Sequence, residues 1–169
     1  LLARSQTVFN PPYLSPKKGY AEQEADFYWR TLGQACQQVW QQGIDPKTIT
    51  AATITTQRGT VVVVDDCGQP LHPAILWLDE RHSENLPTLP IYWQKLHQIS
   101  GHQHTINKLR HRAQAKWFKI NKPEIWAKTH KFLLLSGYLS FKLTGEYTDA
   151  VASQVGYVPF DYKKHQWHG

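Results

Sequence analysis

Methionine is absent from all 169 positions, position 1 included. A chain made inside a cell starts with methionine unless processed, so the expectation is an internal fragment of a longer protein, with material missing on both sides. Cysteine is almost absent too. Cys36 and Cys67 are the only two, too few and too far apart for a zinc pattern or a disulfide framework, and they read as inert buried thiols of a reduced compartment. No apolar run approaches the ~18 residues of a membrane span, and Leu1 to Val8 lack the basic-then-apolar layout of a secretion signal. The phosphate loop of nucleotide hydrolases, the GxGxxG fingerprint, the zinc-protease helix and the nucleophile elbow are all missing. These absences leave a soluble, reduced, α/β-type chain without a signature that names a reaction.

What is present is ordinary for a globular domain: 41% hydrophobic residues, enough for a packed core. The net charge is +6. Much of the excess lies between Lys95 and Lys142 and is spread out rather than gathered in a block, which reads as a solvated helical face. A nucleic-acid surface would need more. A nuclease on such a core needs clustered metal-binding carboxylates, and Asp65 and Asp66 have no evident third partner.

Residues 1–9 alternate loosely and predict a strand. Three prolines between Asn10 and Gly19 exclude regular structure there. From Glu22 to Gln42 the pattern is helical, with Tyr28, Leu32, Ala35 and Val39 on one face and Gly43 as the closing residue. Ile49 to Thr56 and Thr60 to Asp65 are rich in β-branched residues and predict strands. A short apolar run, Ala74 to Trp77, follows Pro73. Helices are then predicted over Leu89–Ser100, Arg112–Asn121, Pro123–Lys131 and Ser136–Leu143, with Gly145 closing the last. Asp149 can cap a short helix over Ala150–Val155. A helix followed by clustered short strands suggests an α/β domain with a mixed sheet.

Three places carry unusual chemistry. Gln57-Arg58-Gly59-Thr60 puts polar groups and a flexible residue between two apolar strands. This is either a plain hairpin turn or one of the strand-end turns where open α/β folds gather ligand-binding groups. Trp77-Leu78-Asp79-Glu80-Arg81 ends an apolar strand in an indole and three charges. An indole stacked on a sugar ring beside a carboxylate that accepts hydroxyl hydrogen bonds is sound carbohydrate chemistry. A core tryptophan followed by a helix start is the other reading. Gly101-His102-Gln103-His104, with His111, lacks a nearby carboxylate or thiol and reads as a solvated loop.

Taken in order, these segments resemble the N-terminal domain of the FGGY carbohydrate kinases, the family of glycerol kinase, xylulokinase and gluconokinase. Gly19-Tyr20-Ala21-Glu22-Gln23 is similar to the family's approach to its first helix, followed by Tyr28-Trp29. Ala51 to Asp65, with Gln57-Arg58, resembles its paired substrate-side strands. Pro73 to Arg81 resembles its Pro-Ala-Ile-x-Trp-x-Asp-x-Arg segment. Lys116-Trp117, Pro123 to Lys128, Leu139 to Glu146, Asp149, Ala152-Ser153, Phe160-Asp161 and Trp167 continue the likeness.

The resemblance implies a ribonuclease-H-like fold, shared with actin, Hsp70 and hexokinase, and residues 1–169 as a partial, substrate-side N-terminal domain. It implies transfer of the γ-phosphoryl group of ATP, with Mg²⁺, to a hydroxyl of a ketose, polyol or aldonate. Substrate-binding roles then fall to Gln57, Arg58, Gly59, Thr60, Trp77 and Asp79, with no catalytic residue and no metal site in the chain. The phosphate-contacting Asp-x-Gly-Thr loop would precede Leu1. The general base and the ATP-binding domain would follow Gly169, so the chain alone is expected to be inactive. A non-catalytic sugar-binding or regulatory module derived from such a kinase is the alternative. The partner implied is a small sugar or polyol, with no nucleic acid or membrane, a homodimer as an assembly of the parent, and a cytoplasmic setting. Two departures bear on the substrate. Gly59 stands where glycerol kinases carry Glu and xylulokinases His. Lys108, Arg110, His111 and Arg112 form a basic stretch that would suit an anionic or bulkier acceptor.

Overall fold

The computed structural model describes residues 1–84, 86, 88–99, 101, 113–154, 160, 161 and 163–167. Its organising element is a run of four valines. Strand β2 (Val61–Val64) is buried along its whole length. Side chains alternate across a strand, so the four valines feed two cores. Val62 and Val64 pack with Ala25, Tyr28, Leu135, Tyr138 and Leu139. Val61 and Val63 pack with Ile75, Trp117 and Phe118. Helices therefore cover both faces of the sheet, the α/β layering expected from the sequence.

The sheet has the order β1-β3-β2-β4, where β1 is Glu22–Gln23, β3 is Ala74–Ile75 and β4 is Lys131–Leu134. Of the expected mixed sheet, the described residues show antiparallel pairs alone. Helix α1 (Ala25–Trp40) and helix α5 (Leu135–Thr144) contribute to one core. Helices α3 (Gln114–Asn121) and α4 (Pro123–Lys128) contribute to the other. Helix α2 (Ile91–Ile99), the short α6 (Val151–Gln154) and a two-stranded ribbon of β5 (Phe160–Asp161) with β6 (Gln166–Trp167) complete the described elements. Gly145 closes α5 at φ 77°, as the sequence indicates. The sequence places a helix from Ala150 with Asp149 as its cap, but α6 begins at Val151 and Asp149 accepts the Ala150 N–H at 2.8 Å.

Several expectations are corrected. Residues 1–9 form no strand. Their hydrogen bonds go to α1, with the Ser5 hydroxyl donating to the Ala35 carbonyl at 2.7 Å and Gln42 Nε2 donating to the Arg4 carbonyl at 3.0 Å. Residues 49–56 form no ladder either: β-branched composition favours a pleated surface, but a strand exists only with a partner. Helix α4 stops at Lys128 instead of Lys131, because Lys131–Leu134 pairs residue for residue with β2. The cysteines are not both buried; Cys36 is half-buried and Cys67 exposed. Lys116, Lys119 and Lys128 are exposed, as a solvated basic face requires.

One tie between α1 and α5 can be tested directly. The Tyr138 ring is fully buried, and its hydroxyl donates to Asp26 Oδ1 at 2.8 Å. That bond holds the Asp26 carboxyl below its ordinary value, against the upward effect of partial burial and with help from Lys142. A depressed carboxylate stabilises the fold above its unfolded pKa, and the contribution fades as pH falls through the folded value. Tyr138→Phe is expected to cost about 1 kcal/mol near neutrality. The gap to the native chain should narrow as pH falls below the ordinary aspartate value. Urea titrations across that range check it; a pH-independent gap would contradict the assignment.

Candidate functional site

The end of β2 at Thr60 and the end of β3 at Leu76 meet at one edge of the sheet. Val61 pairs with Ile75, so the turn that precedes Val61 and the segment that follows Ile75 leave the sheet at the same end. The chain turns at Gly59 with φ 79°, a left-handed conformation that costs a side-chain-bearing residue about 1–2 kcal/mol. A polar turn and an exposed indole thus flank the same end of two neighbouring strands.

Within the turn, Gln57 is held rather than loose. Its Nε2 donates to the Tyr28 hydroxyl at 3.2 Å and to Thr60 Oγ1 at 2.9 Å. Both amide hydrogens are used, so the carbonyl oxygen is the atom left to receive a further donor. Burial pushes the Tyr28 phenol up, against the opposing effect of Gln57, which keeps it protonated. Thr60 is fully buried and shapes the turn from beneath. Arg58 is exposed. Beside Gln57 a cavity of about 300 Å³ opens between residues 5–9, α1 and residues 54–57.

Trp77 is 58% exposed, which excludes the core-tryptophan reading and leaves an indole open to solvent. Asp79 is different. The outward carboxylate anticipated for accepting substrate hydroxyls faces inward instead, 2% exposed. Oδ1 accepts from the Arg81 backbone N–H (2.9 Å) and Nε (2.7 Å), and Oδ2 from the Ala21 N–H (2.7 Å) and Arg81 Nη2 (2.7 Å). A carboxylate has about four lone-pair sites, and all are occupied. Arg81 in turn donates from Nη2 to Glu22 at 2.6 Å and lies between the rings of Tyr20 (4.1 Å) and Trp117 (4.5 Å). Burial penalises its charge, yet the bonds to Asp79 and Glu22 raise its pKa further. Asp79 and Arg81 thus hold the loop carrying Trp77 to β1.

Sequence reasoning missed Glu22 as the second carboxylate on Arg81, the Tyr28 hydroxyl on Gln57, and Gln114, whose Nε2 donates to the Gly59 carbonyl at 3.1 Å. The only available signal was spacing, since Gln114, Trp117 and Phe118 fall at i, i+3 and i+4 on one helical face. His102, His104 and His111, with Lys108, Arg110 and Arg112, lie outside the described residues.

The described residues do not fit ATP with Mg²⁺. Their one group of metal-capable side chains, Asp65, Asp66 and Cys67, follows β2 at its other end, roughly 17 Å from Thr60 at strand rise. Asp65 Oδ1 already accepts the N–H groups of Cys67 and Gln69 at 2.9 and 2.8 Å. Asp66 pushes the Cys67 thiol up, away from the thiolate a metal needs.

The described residues form a layered α/β domain with a polar turn and an exposed indole near one end of its sheet. The chain belongs to the FGGY family of carbohydrate kinases, whose N-terminal domain matches residues 2–168. It is 28% identical over 159 residues to a xylulose kinase of Lactococcus lactis, covering 90% of the chain and 30% of that enzyme. It is 33% identical over 156 residues to a glycerol kinase of Mycoplasma capricolum, covering 86% and 29%. The fold is that of a ligand-bound xylulose kinase and a gluconate kinase from Lactobacillus acidophilus, each with TM-score 0.70 at 18% identity, covering 93% of the chain and 32% of theirs. The ribonuclease-H-like assignment holds, and the chain spans about a third of these enzymes' length. Among the described residues no helix is long and apolar enough to cross a membrane.

Proposed function

We propose that this chain is the acceptor-holding part of the N-terminal domain of an ATP-dependent kinase that phosphorylates a hydroxyl of a ketose, polyol or aldonate. The observation that supports the reading is that the polar turn before Val61 and the exposed Trp77 after Ile75 emerge from the same end of two paired strands, in a chain of this family. In this reading the indole stacks on the apolar face of the acceptor. Gln57 accepts from an acceptor hydroxyl through its remaining carbonyl oxygen, and Arg58 flanks it. Gly59 leaves space where a side chain would stand, and Thr60 fixes the turn. Asp79 serves through Arg81 by keeping the Trp77 loop in place. In kinases of this family ATP with Mg²⁺ supplies the phosphoryl group; the residues here orient the acceptor, and transfer rests on positioning and charge stabilisation. The base and the nucleotide domain belong to the rest of the parent, for which the reading carries a homodimer and a cytoplasmic setting.

The test is saturation-transfer NMR on the 169-residue chain with D-xylulose, glycerol and D-gluconate in turn. One of them is expected to bind in the millimolar range, with Trp77→Ala and Gln57→Ala each weakening it by about tenfold, equivalent to ~1.4 kcal/mol. Binding by none, or equal binding by Trp77→Ala, would sink the acceptor site. Formation of ADP from ATP by the chain alone would overturn the division of labour.

A further inference from the structure

The two arms of the proposed acceptor site come from different strands, and nothing in the sheet register alone keeps their side-chain-bearing tips in fixed relation beyond the last paired residue. One short helix touches both. Gln114, the first residue of α3, donates from Nε2 to the Gly59 carbonyl at 3.1 Å. One turn later on the same face, Trp117 stacks on the Arg81 guanidinium at 4.5 Å, and Arg81 grips Asp79 through two side-chain bonds at 2.7 Å. Phe118 is next on that face, 1% exposed, and locks the helix into the core with Val61, Val63 and Ile75. Residues at i, i+3 and i+4 share a helix face, so α3 is a rigid bar with one contact on each arm.

We propose that α3 is the brace that sets the spacing of the acceptor site, and that Gln114 is the positioning residue that fixes the turn arm. This rests on the acceptor-site reading above for its functional consequence, but the bracing itself is a statement about Gly59. The bond restrains the peptide that leaves the left-handed Gly59 toward Thr60, the residue that also receives Gln57 Nε2. Losing the donor removes one restraint on that peptide and loosens the partner geometry of the Gln57 amide. Gln114 itself is only half-buried at the first position of the helix. Its removal leaves Trp117 and Phe118, and so the core, unchanged.

The experiment uses the full 169-residue chain labelled with ¹³C and ¹⁵N. Gln114→Leu keeps the size and removes the donor; Gln114→Lys restores one at similar reach. The brace predicts that the Gly59 carbonyl and Thr60 amide resonances move in Gln114→Leu and return toward native positions in Gln114→Lys. The Trp117 indole resonance and the urea midpoint should hold in both. It further predicts about five- to tenfold weaker binding of whichever of D-xylulose, glycerol or D-gluconate the native chain binds, as for one lost hydrogen bond in a restrained site. Unmoved Gly59 and Thr60 resonances in Gln114→Leu would overturn the brace. So would native sugar affinity in that variant. If the native chain binds none of the three sugars while the resonances move as expected, the acceptor reading falls and the brace stands.

Discussion

Replacing Arg81 by methionine is expected to cost about 3–5 kcal/mol, enough to remove the cooperative unfolding transition of a marginally stable chain. The reason is what the substitution leaves behind. Asp79 is 2% exposed and Glu22 11%, and both meet the Arg81 guanidinium within 2.7 Å. Without it, two carboxylates remain in an apolar setting of Tyr20 and Trp117 with their charge uncompensated. Arg81→Lys keeps the charge but a single ammonium cannot span both carboxylates in the geometry of the planar fork, so an intermediate loss is expected. The triple variant Glu22→Gln, Asp79→Asn, Arg81→Met removes the charges together and should recover part of the loss, because a buried ion pair is costly mainly when broken on one side. Urea unfolding by tryptophan fluorescence reads all three. A near-native midpoint for Arg81→Met would show that the loop carrying Trp77 is held by something other than this network.

Gly68→Ala is expected to cost roughly 2–5 kcal/mol, combining a left-handed backbone penalty with overpacking. Gly68 has φ 77°, and a Cβ there would run into Cε1 and Cζ of Phe141. That ring cannot step aside cheaply, since it lies stacked on Tyr147 with centroids 4.3 Å apart and planes within 2°. Gly145 makes the matching control. It has the same φ of 77°, and an added methyl would meet nothing within 4 Å, so Gly145→Ala should cost only the backbone part, about 1–2 kcal/mol. Equal losses at the two positions would mean that the Phe141–Tyr147 stack yields without penalty. Phe141→Leu combined with Gly68→Ala should return the steric share if the packing account is right.

The sequence made the family resemblance legible because its cues are local. The helix over Tyr28 to Val39 follows from spacing, the close of α5 at Gly145 from capping chemistry, and the Pro73–Arg81 segment from its residue order. Strand β4 was not legible. Phe132-Leu133-Leu134 is a short apolar run that suits a buried helix or a strand equally, and pairing with Val61–Val64 decided it. Residues 1–9 and 49–56 err the other way: loose alternation in the first and β-branched composition in the second state a preference, and no ladder partner meets it among the described residues. At the site, the turn at Gln57–Thr60 and the indole at Trp77 could be picked out by residue type. The inward turn of Asp79 could not, because it depends on Ala21 and Glu22 arriving from a distant segment to meet Asp79 and Arg81.

By itself, then, the sequence determined the helical faces, the turn residues, the layered α/β class and the family, all of which rest on interactions between residues near in the chain or on their order along it. Only the tertiary structure decided which polar side chains face outward and which are consumed within. Gln57 has both amide hydrogens engaged, the Asp79 carboxylate is fully engaged, and Gln114 joins the turn from 55 residues away. A polar side chain has a fixed number of donors and acceptors, and whether any remain for a substrate depends on which groups the fold brings within about 3 Å.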